Sequence, residues 1–329
     1  MTAPAGQKPA AAHASAAAVS TARAAVSSQP AVAPATAPQT APATATVPRV
    51  ALAQIAPVLG DRARNLALHL QQIAAAREQG ADLILFPELS LTGYFLRDMV
   101  PDVALPLDAH EIAELTAAAG PAAVVFGFVE QSPQCLYYNA ALLAEAGRVV
   151  HVHRKVYLPT YGMFEEQRYF AAGNRITACQ SRRFGRVGLL VCEDFWHLSA
   201  VAILQAEGID VLVCIANSPA RGVDAAKVRT AEVYEQMAKT YARLLGAVVI
   251  FVNRVGFEDG LCFWGGSLVV GPDGTTLAEA PQFDAALTVV PVDLEELRRA
   301  RLITPLARDE QLLLTLEELS RIKRRRYEH

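Results

Sequence analysis

The sequence predicts an α/β layered domain in which helices cover sheets. Three observations carry that reading. From Arg49 onward, apolar runs of strand length alternate with amphipathic helical stretches. Hairpin signals interrupt the alternation, the Pro272-Asp273-Gly274 turn among them. Hydrophobic residues make up 52% of the 329 positions and charged residues 19%, which is enough for a sizeable core and too much for a disordered chain.

The elements follow in order. Residues 1–48 are rich in Ala, Pro, Ser and Thr and carry only Lys8 and Arg23 as charges, so they read as a disordered tail. The tail lacks the compact apolar stretch of a secretory signal, while its lack of acids leaves a targeting role open. VALAQIA (50–56) is a buried strand. Residues 61–80 form an amphipathic helix ending at Gly80, with Leu66, Leu68, Leu70 and Ile73 as its apolar positions. DLILFPE (82–88) is a short strand halted by Pro87, and 109–119 is helical. Residues 123–130, 139–145 and 148–158 read as three successive strands. VGLLVCED (187–194) and DVLVCIANS (210–218) are strands flanking a helix at 201–208. A long helix over 225–246 leads to a strand at 247–256, the hairpin at 267–280 and a last strand at 286–293. The chain divides into the tail, a domain over 49–300 and an extension over 301–329 with a helix and a basic end. The cluster Arg321 to Arg326 suits a solvated helix C-terminus.

Whole classes of function are excluded. A formal net charge of -3 gives no electrostatic footprint for nucleic acid. No apolar run reaches the roughly 18 residues that span a bilayer. Cys135, Cys179, Cys192, Cys214 and Cys262 are odd in number and lack CxxC spacing, which fits a reducing compartment such as the cytoplasm. No GxGxxG or GxxxxGK[ST] motif supports nucleotide binding.

Three segments carry candidate chemistry, each at the end of a predicted strand: LFPELSLTGY (85–94), HRKVYLPTYGMFEEQRYF (153–170) and VGLLVCEDFWH (187–197). Active sites in α/β sheets gather at the carboxyl ends of strands, so distant segments can converge there. Cys192 sits where a strand emerges before a helix, a place that favours thiolate, though a buried inert cysteine fits the same local sequence. Glu88 is either a capping or ion-pairing group or a base whose pKa burial raises. Lys155 is either a solvated strand end or an electrophile for a developing oxyanion. His151 and His153 share a strand face, but no further metal ligand has recognisable spacing. A dyad of Cys192 with His151, His153 or His197 stays open.

Taken together and in this order, FPELSLTGY, HRKVYLP and GLLVCEDFWH resemble the nitrilase, or carbon–nitrogen hydrolase, superfamily, from about Arg49 to about Asp293. The resemblance implies a four-layer α-β-β-α sandwich. It implies Cys192 as nucleophile, Glu88 as general base and Lys155 as stabiliser of the tetrahedral intermediate. It adds Glu166 as a second glutamate, with Glu165 adjacent. YGMFEEQRYF, CEDFW, WGGSLVV, APQFD and PLARDEQL are similar to the glutaminase domain of glutamine-dependent NAD synthetases. No SGGxDS-type pyrophosphatase loop occurs, so no NAD synthesis by that route is expected of this chain. By the same resemblance Tyr161, Trp196 and Glu193 adjoin the substrate. The implied reaction is hydrolysis of a small carboxamide, glutamine-like or another ω-amide, with ammonia released through a thioester. A nitrile substrate, or an ammonia-supplying subunit for a separate synthetase, is the alternative. No metal or organic cofactor is expected. The expected partners are the small amide and further copies of the chain, paired as a homodimer or larger oligomer across the helix after the cysteine.

Overall fold

The structure, a computed structural model, describes residues 47–224 and 227–327. Residues 1–46 of the tail lie outside the described residues.

Along the chain, β1 (Arg49–Gln54) leads into α1 (Arg62–Glu78) and β2 (Leu83–Leu85). Asp61 caps α1 by accepting a hydrogen bond from the Arg64 amide at 3.0 Å, a contact whose loss typically costs about 1 kcal/mol. After α2 (Val100–Val103) and α3 (His110–Ala119), a meander of β3 (Ala123–Gln131), β4 (Tyr137–Glu145) and β5 (Arg148–Arg154) follows. Then come α4 (Glu166–Tyr169) and the hairpin of β6 (Ala178–Ser181) and β7 (Gly185–Val191). A 3-10 turn, Cys192–Trp196, joins β7 to α5 (Leu198–Ala206) and β8 (Val211–Ala216). The two-residue strands β9 (Val223–Asp224) and β10 (Lys227–Val228) precede α6 (Arg229–Leu245), which Gly246 ends in a left-handed conformation. Next are β11 (Val248–Asn253), the hairpin of β12 (Val255–Glu258) and β13 (Leu261–Trp264), and the hairpin of β14 (Leu268–Val270) and β15 (Thr276–Glu279). β16 (Ala286–Pro291), α7 (Glu295–Ile303), α8 (Leu306–Asp309) and α9 (Leu312–Tyr327) complete the described elements.

Two six-stranded sheets result, ordered β16-β1-β2-β3-β4-β5 and β15-β14-β11-β8-β7-β6. Each has a parallel centre, β1-β2-β3 or β7-β8-β11, with antiparallel strands outside it. The side-chain alternation of β1 shows how the layers stack. Val50 and Leu52 join the core shared with the second sheet, whereas Ala51 and Ala53 join the core under α1 and α3. α5 and α6 cover the far face of the second sheet through Leu204, Tyr234, Ala238 and Leu245. The architecture is therefore a four-layer α-β-β-α sandwich. The central strands β8 and β11 are buried along their whole length, which explains their uninterrupted apolar sequences.

Several local expectations are corrected. The strand read through Asp194 ends at Val191, because Cys192 turns to a φ of +46°. The long helix starts at Arg229; the predicted span from 225 includes residues 225–226, which lie outside the described residues. The strand read to 158 ends at Arg154. The buried face of α1 is Asn65, His69, Ile73 and Ala76, with Leu66, Leu68 and Leu70 only partly covered. β6, the β12–β13 hairpin and α7 carried no signal strong enough to place them.

Candidate active site

The carboxyl ends of β2, β5, β7 and β8 meet at one edge of the sandwich. β5 runs in the same direction as β2, since β3 parallels β2 and two antiparallel steps follow. Glu88 stands just past β2, in a turn where Leu89 holds a left-handed φ of +44°. That turn rests on the backbone of Gly127 in β3, where a Cβ would lie 2.3 Å from the Leu89 nitrogen. Glu88 is fully buried. Its Oε1 accepts from Lys155 Nζ at 2.8 Å and from Asn139 Nδ2 at 2.7 Å. Its Oε2 accepts from the Asn217 amide at 2.7 Å, where β8 ends.

Lys155 follows β5 and is also buried. Its Nζ donates to Glu166 Oε1 at 2.6 Å as well as to Glu88. Burial opposes its charge, but Glu166 and Glu88 outweigh burial and hold its pKa well above the usual lysine value. Tyr94 donates to the same Glu166 oxygen at 2.6 Å. Burial raises the Glu166 carboxyl to about 7; Lys155 opposes the rise and Glu88 adds to it. Both statements follow from two buried carboxylates sharing one ammonium: the cation stays charged, and one carboxyl keeps a proton to near neutrality. The structure distinguishes the adjacent glutamates, since Glu165 is exposed and Glu166 reaches the lysine.

Cys192 opens the 3-10 turn after β7 in the left-handed region, a strained setting for a residue with a Cβ and one that recurs at functional sites. Burial pushes its thiol well above the usual cysteine pKa; Glu88 and Glu166 add to the rise, and Lys155 and a hydrogen bond from Tyr234 oppose it. Asp194, two residues on, locks the turn. Its Oδ1 accepts from the amides of Val156 and Tyr157 at 3.0 and 2.9 Å, and its Oδ2 pairs with His153 Nε2 at 2.8 Å. His153 is thereby committed to Asp194, and His197 stacks on Tyr157 at 3.6 Å. Among the described residues the hydrogen-bond partner of Cys192 Sγ is the Tyr234 hydroxyl, so a cysteine–histidine dyad is not formed. No group of three or more His, Cys, Asp or Glu suited to a metal ion occurs among the described residues.

The rim holds the other predicted residues. The Tyr161 hydroxyl donates to the Glu193 carboxylate at 2.9 Å, and burial followed by Glu193 raises that phenol to about 12. Trp196 is 43% exposed and spends its indole N–H on the Tyr234 oxygen at 3.0 Å. Sequence reasoning missed Tyr94, Asn139, Asn217, Tyr234 and Arg221. The Arg221 guanidinium lies 4.7 Å over the Phe164 ring, and its Nε and Nη2 are buried with no hydrogen-bond partner among the described residues. Its position just past the end of β8 was the one available signal.

A thiol, two carboxylates and an ammonium gathered at strand ends of an α-β-β-α sandwich define a hydrolase of the nitrilase superfamily. Comparison with known proteins agrees. Residues 49–302 match the carbon–nitrogen hydrolase family. The chain is 30% identical over 250 residues to a glutamine-dependent NAD(+) synthetase of Acinetobacter baylyi, covering 76% of this chain and 45% of that one. It thus spans less than half the length of that relative. A carbon–nitrogen hydrolase of Helicobacter pylori G27 superposes with a TM-score of 0.73 over 83% of this chain and 98% of its own, at 24% identity. An amidase variant from Nesterenkonia sp. AN1 superposes with a TM-score of 0.68 at 25% identity, over 84% of this chain and 98% of its own. That variant carries the acetamide moiety of fluoroacetamide on its active-site cysteine. The chain belongs to the carbon–nitrogen hydrolase family, and it is a carbon–nitrogen hydrolase.

Proposed function

We propose that the chain hydrolyses the side-chain amide of a small amino acid, glutamine or a similar ω-amide, and releases ammonia. The observation that carries this reading is the shared ion cluster: one Lys155 ammonium bridges Glu88 and Glu166 beside the Cys192 thiol. In this reading Glu88 takes the thiol proton as sulfur attacks the amide carbon. Lys155 and the backbone N–H of Glu193 hold the oxyanion; in other enzymes such a donor is worth about 2.7–4 kcal/mol. Glu88 then gives its proton to the leaving nitrogen, a thioester remains on Cys192, and Glu88 activates the water that releases the acid.

The rim supports an amino acid as the acyl donor. Arg221 offers unpaired N–H groups to a carboxylate, and Glu193 offers a carboxylate to an ammonium. Two further groups favour an amide over a nitrile. The side-chain oxygens of Asn139 and Asn217, which flank Glu88, are buried acceptors without partners among the described residues. A carboxamide brings N–H donors, and a nitrile brings none.

Five free cysteines suit a reducing, cytoplasmic setting. No helix among the described residues is long and apolar enough to cross a membrane. The match to the first half of a synthetase supports a second reading, in which the ammonia feeds a separate protein. The test is an ammonia-release screen over glutamine, asparagine, other ω-amides, N-carbamoyl amino acids and simple nitriles, with Cys192→Ala as control. Release from glutamine or an ω-amide that vanishes in the control is expected. Undiminished release by Cys192→Ala, or release from nitriles alone, refutes the proposal.

A further inference from the structure

We infer that Tyr234 is a further catalytic residue, a fixed hydroxyl that donates to the Cys192 sulfur and stabilises it as thiolate each time sulfur carries negative charge. This inference deepens the proposed hydrolysis and rests on it.

The geometry places the Tyr234 hydroxyl between an indole donor and the sulfur. Its oxygen lies 3.5 Å from Cys192 Sγ and accepts the Trp196 indole N–H at 3.0 Å. An indole nitrogen is donor only, so the hydroxyl oxygen accepts that bond and keeps its proton to donate; a thiolate can only accept, so once sulfur is charged the bond between the two runs from the hydroxyl to sulfur. The ring has no freedom to turn away. It is 2% exposed and stacks on Phe251 at 4.5 Å and on Phe195 at 6.2 Å, with the Trp196 ring edge-on at 5.5 Å. Tyr234 comes from α6, whereas Glu88, Lys155 and Glu166 come from the other sheet or the loops beyond it, so the thiol is gripped from both sides.

The charges around Cys192 set what such a donor opposes. Glu88, Glu166 and Lys155 face the thiol, and Cys214 on β8 adjoins it. The carboxylates and burial all disfavour thiolate, which leaves Lys155 and Tyr234 as the groups that favour it. Tyr234 does not itself lose a proton. Burial, with Cys192 and Cys214 adding to it, holds its phenol well above the usual tyrosine pKa. The proton on sulfur still goes to Glu88. The Tyr234 O–H bond stays intact and supplies a hydrogen bond, first as the S–H bond breaks and again when the C–S bond of the thioester breaks and the pair returns to sulfur. Trp196 acts through Tyr234 and is a positioning residue.

Alkylation of the thiol tests this without any choice of substrate, so its failure is separable from failure of the hydrolysis reading. The rate of iodoacetamide addition at Cys192 is followed against pH by mass spectrometry of the peptide that contains it. Tyr234→Phe is expected to slow addition at pH 7 roughly ten- to hundredfold and to move the midpoint up by one to two pH units. Trp196→Phe keeps the hydroxyl and loosens its aim, so a smaller shift in the same direction is expected. A folded Tyr234→Phe with the wild-type midpoint and rate overturns the inference. If Tyr234→Phe does not fold, an unchanged midpoint in Trp196→Phe overturns it instead.

Discussion

Asp194 Oδ2 and His153 Nε2 lie 2.8 Å apart, both fully or nearly fully buried, and this pair ties the turn that carries Cys192 to the strand that leads into Lys155. Asp194 also takes the two amides that follow Lys155 and the Val191 amide that precedes Cys192. One carboxylate thus sets the spacing between the sulfur and the ammonium. Burial works against its charge, but the hydrogen bond and charge of His153 prevail and hold it below the usual carboxylate range.

Removing that charge leaves His153 and three amides under-served. Breaking a buried pair by deleting one partner typically costs 3–5 kcal/mol. Asp194→Ala is expected to lose about that much stability in urea unfolding, and to lose most of its alkylation of Cys192 even where it remains folded. Wild-type alkylation in the folded variant counts against the coupling.

Lys155→Met removes the one cation between two buried carboxylates. Turnover is expected to fall by roughly a hundredfold or more. Lys155 opposes the burial that raises Glu166 to about 7, so without the ammonium Glu166 binds its proton still more tightly folded than unfolded, and stability falls as pH rises. Unfolding free energies from about pH 5 to pH 8 check the sign.

Arg221→Ala and Glu193→Gln separate recognition from chemistry. Each removes one charged partner for an amino acid substrate, a contact of about 1.5–3 kcal/mol. The expected outcome is a tenfold or larger rise in KM for glutamine, with little change toward a neutral amide such as propionamide. Equal losses on both substrates argue that these residues act on the fold.

His69 gives the acid limb of stability. Its Nδ1 donates to the Asn65 carbonyl at 2.7 Å, so the neutral ring must accept the Ser90 hydroxyl at Nε2, at 2.8 Å. Burial lowers its pKa from 6.5 to about 4, and the Asn65 bond opposes that fall. Below pH 6.5 the unfolded chain takes up a proton that the folded chain refuses until about pH 4. Stability therefore declines as pH falls through that window, and His69→Gln is expected to flatten the decline in a thermal unfolding series.

Leu198→Asp tests pairing across α5. Leu198 is 73% exposed and Ile203 44%, an apolar face that a second copy would cover. A drop in mass by light scattering is expected; an unchanged mass places any pairing elsewhere.

How much of this was written in the sequence depends on what each residue has to find. Glu88 and Cys192 end apolar runs and Lys155 ends a predicted strand, so the fold class allowed the three to converge, and the resemblance of their motifs to the nitrilase superfamily is what put them together. Choosing Glu166 over Glu165 depended on which side of a four-residue helix faces inward, a rotation that sequence leaves undecided. Tyr234, Asn139 and Asn217 are ordinary residues whose roles arise only from contacts that cross 42 to 129 positions of chain. The face of α1 was misread for a related reason. Its leucines suggested an apolar stripe, but Asn65 is buried instead because its amide answers the Val58 amide and carbonyl and the Leu91 carbonyl.

A lysine held between two carboxylates keeps its proton more tightly than a solvated one, and with it the nitrogen lone pair stays occupied. A protonated amine has no lone pair to offer a carbonyl carbon, so the contacts that hold Lys155 charged also hold it back as a nucleophile.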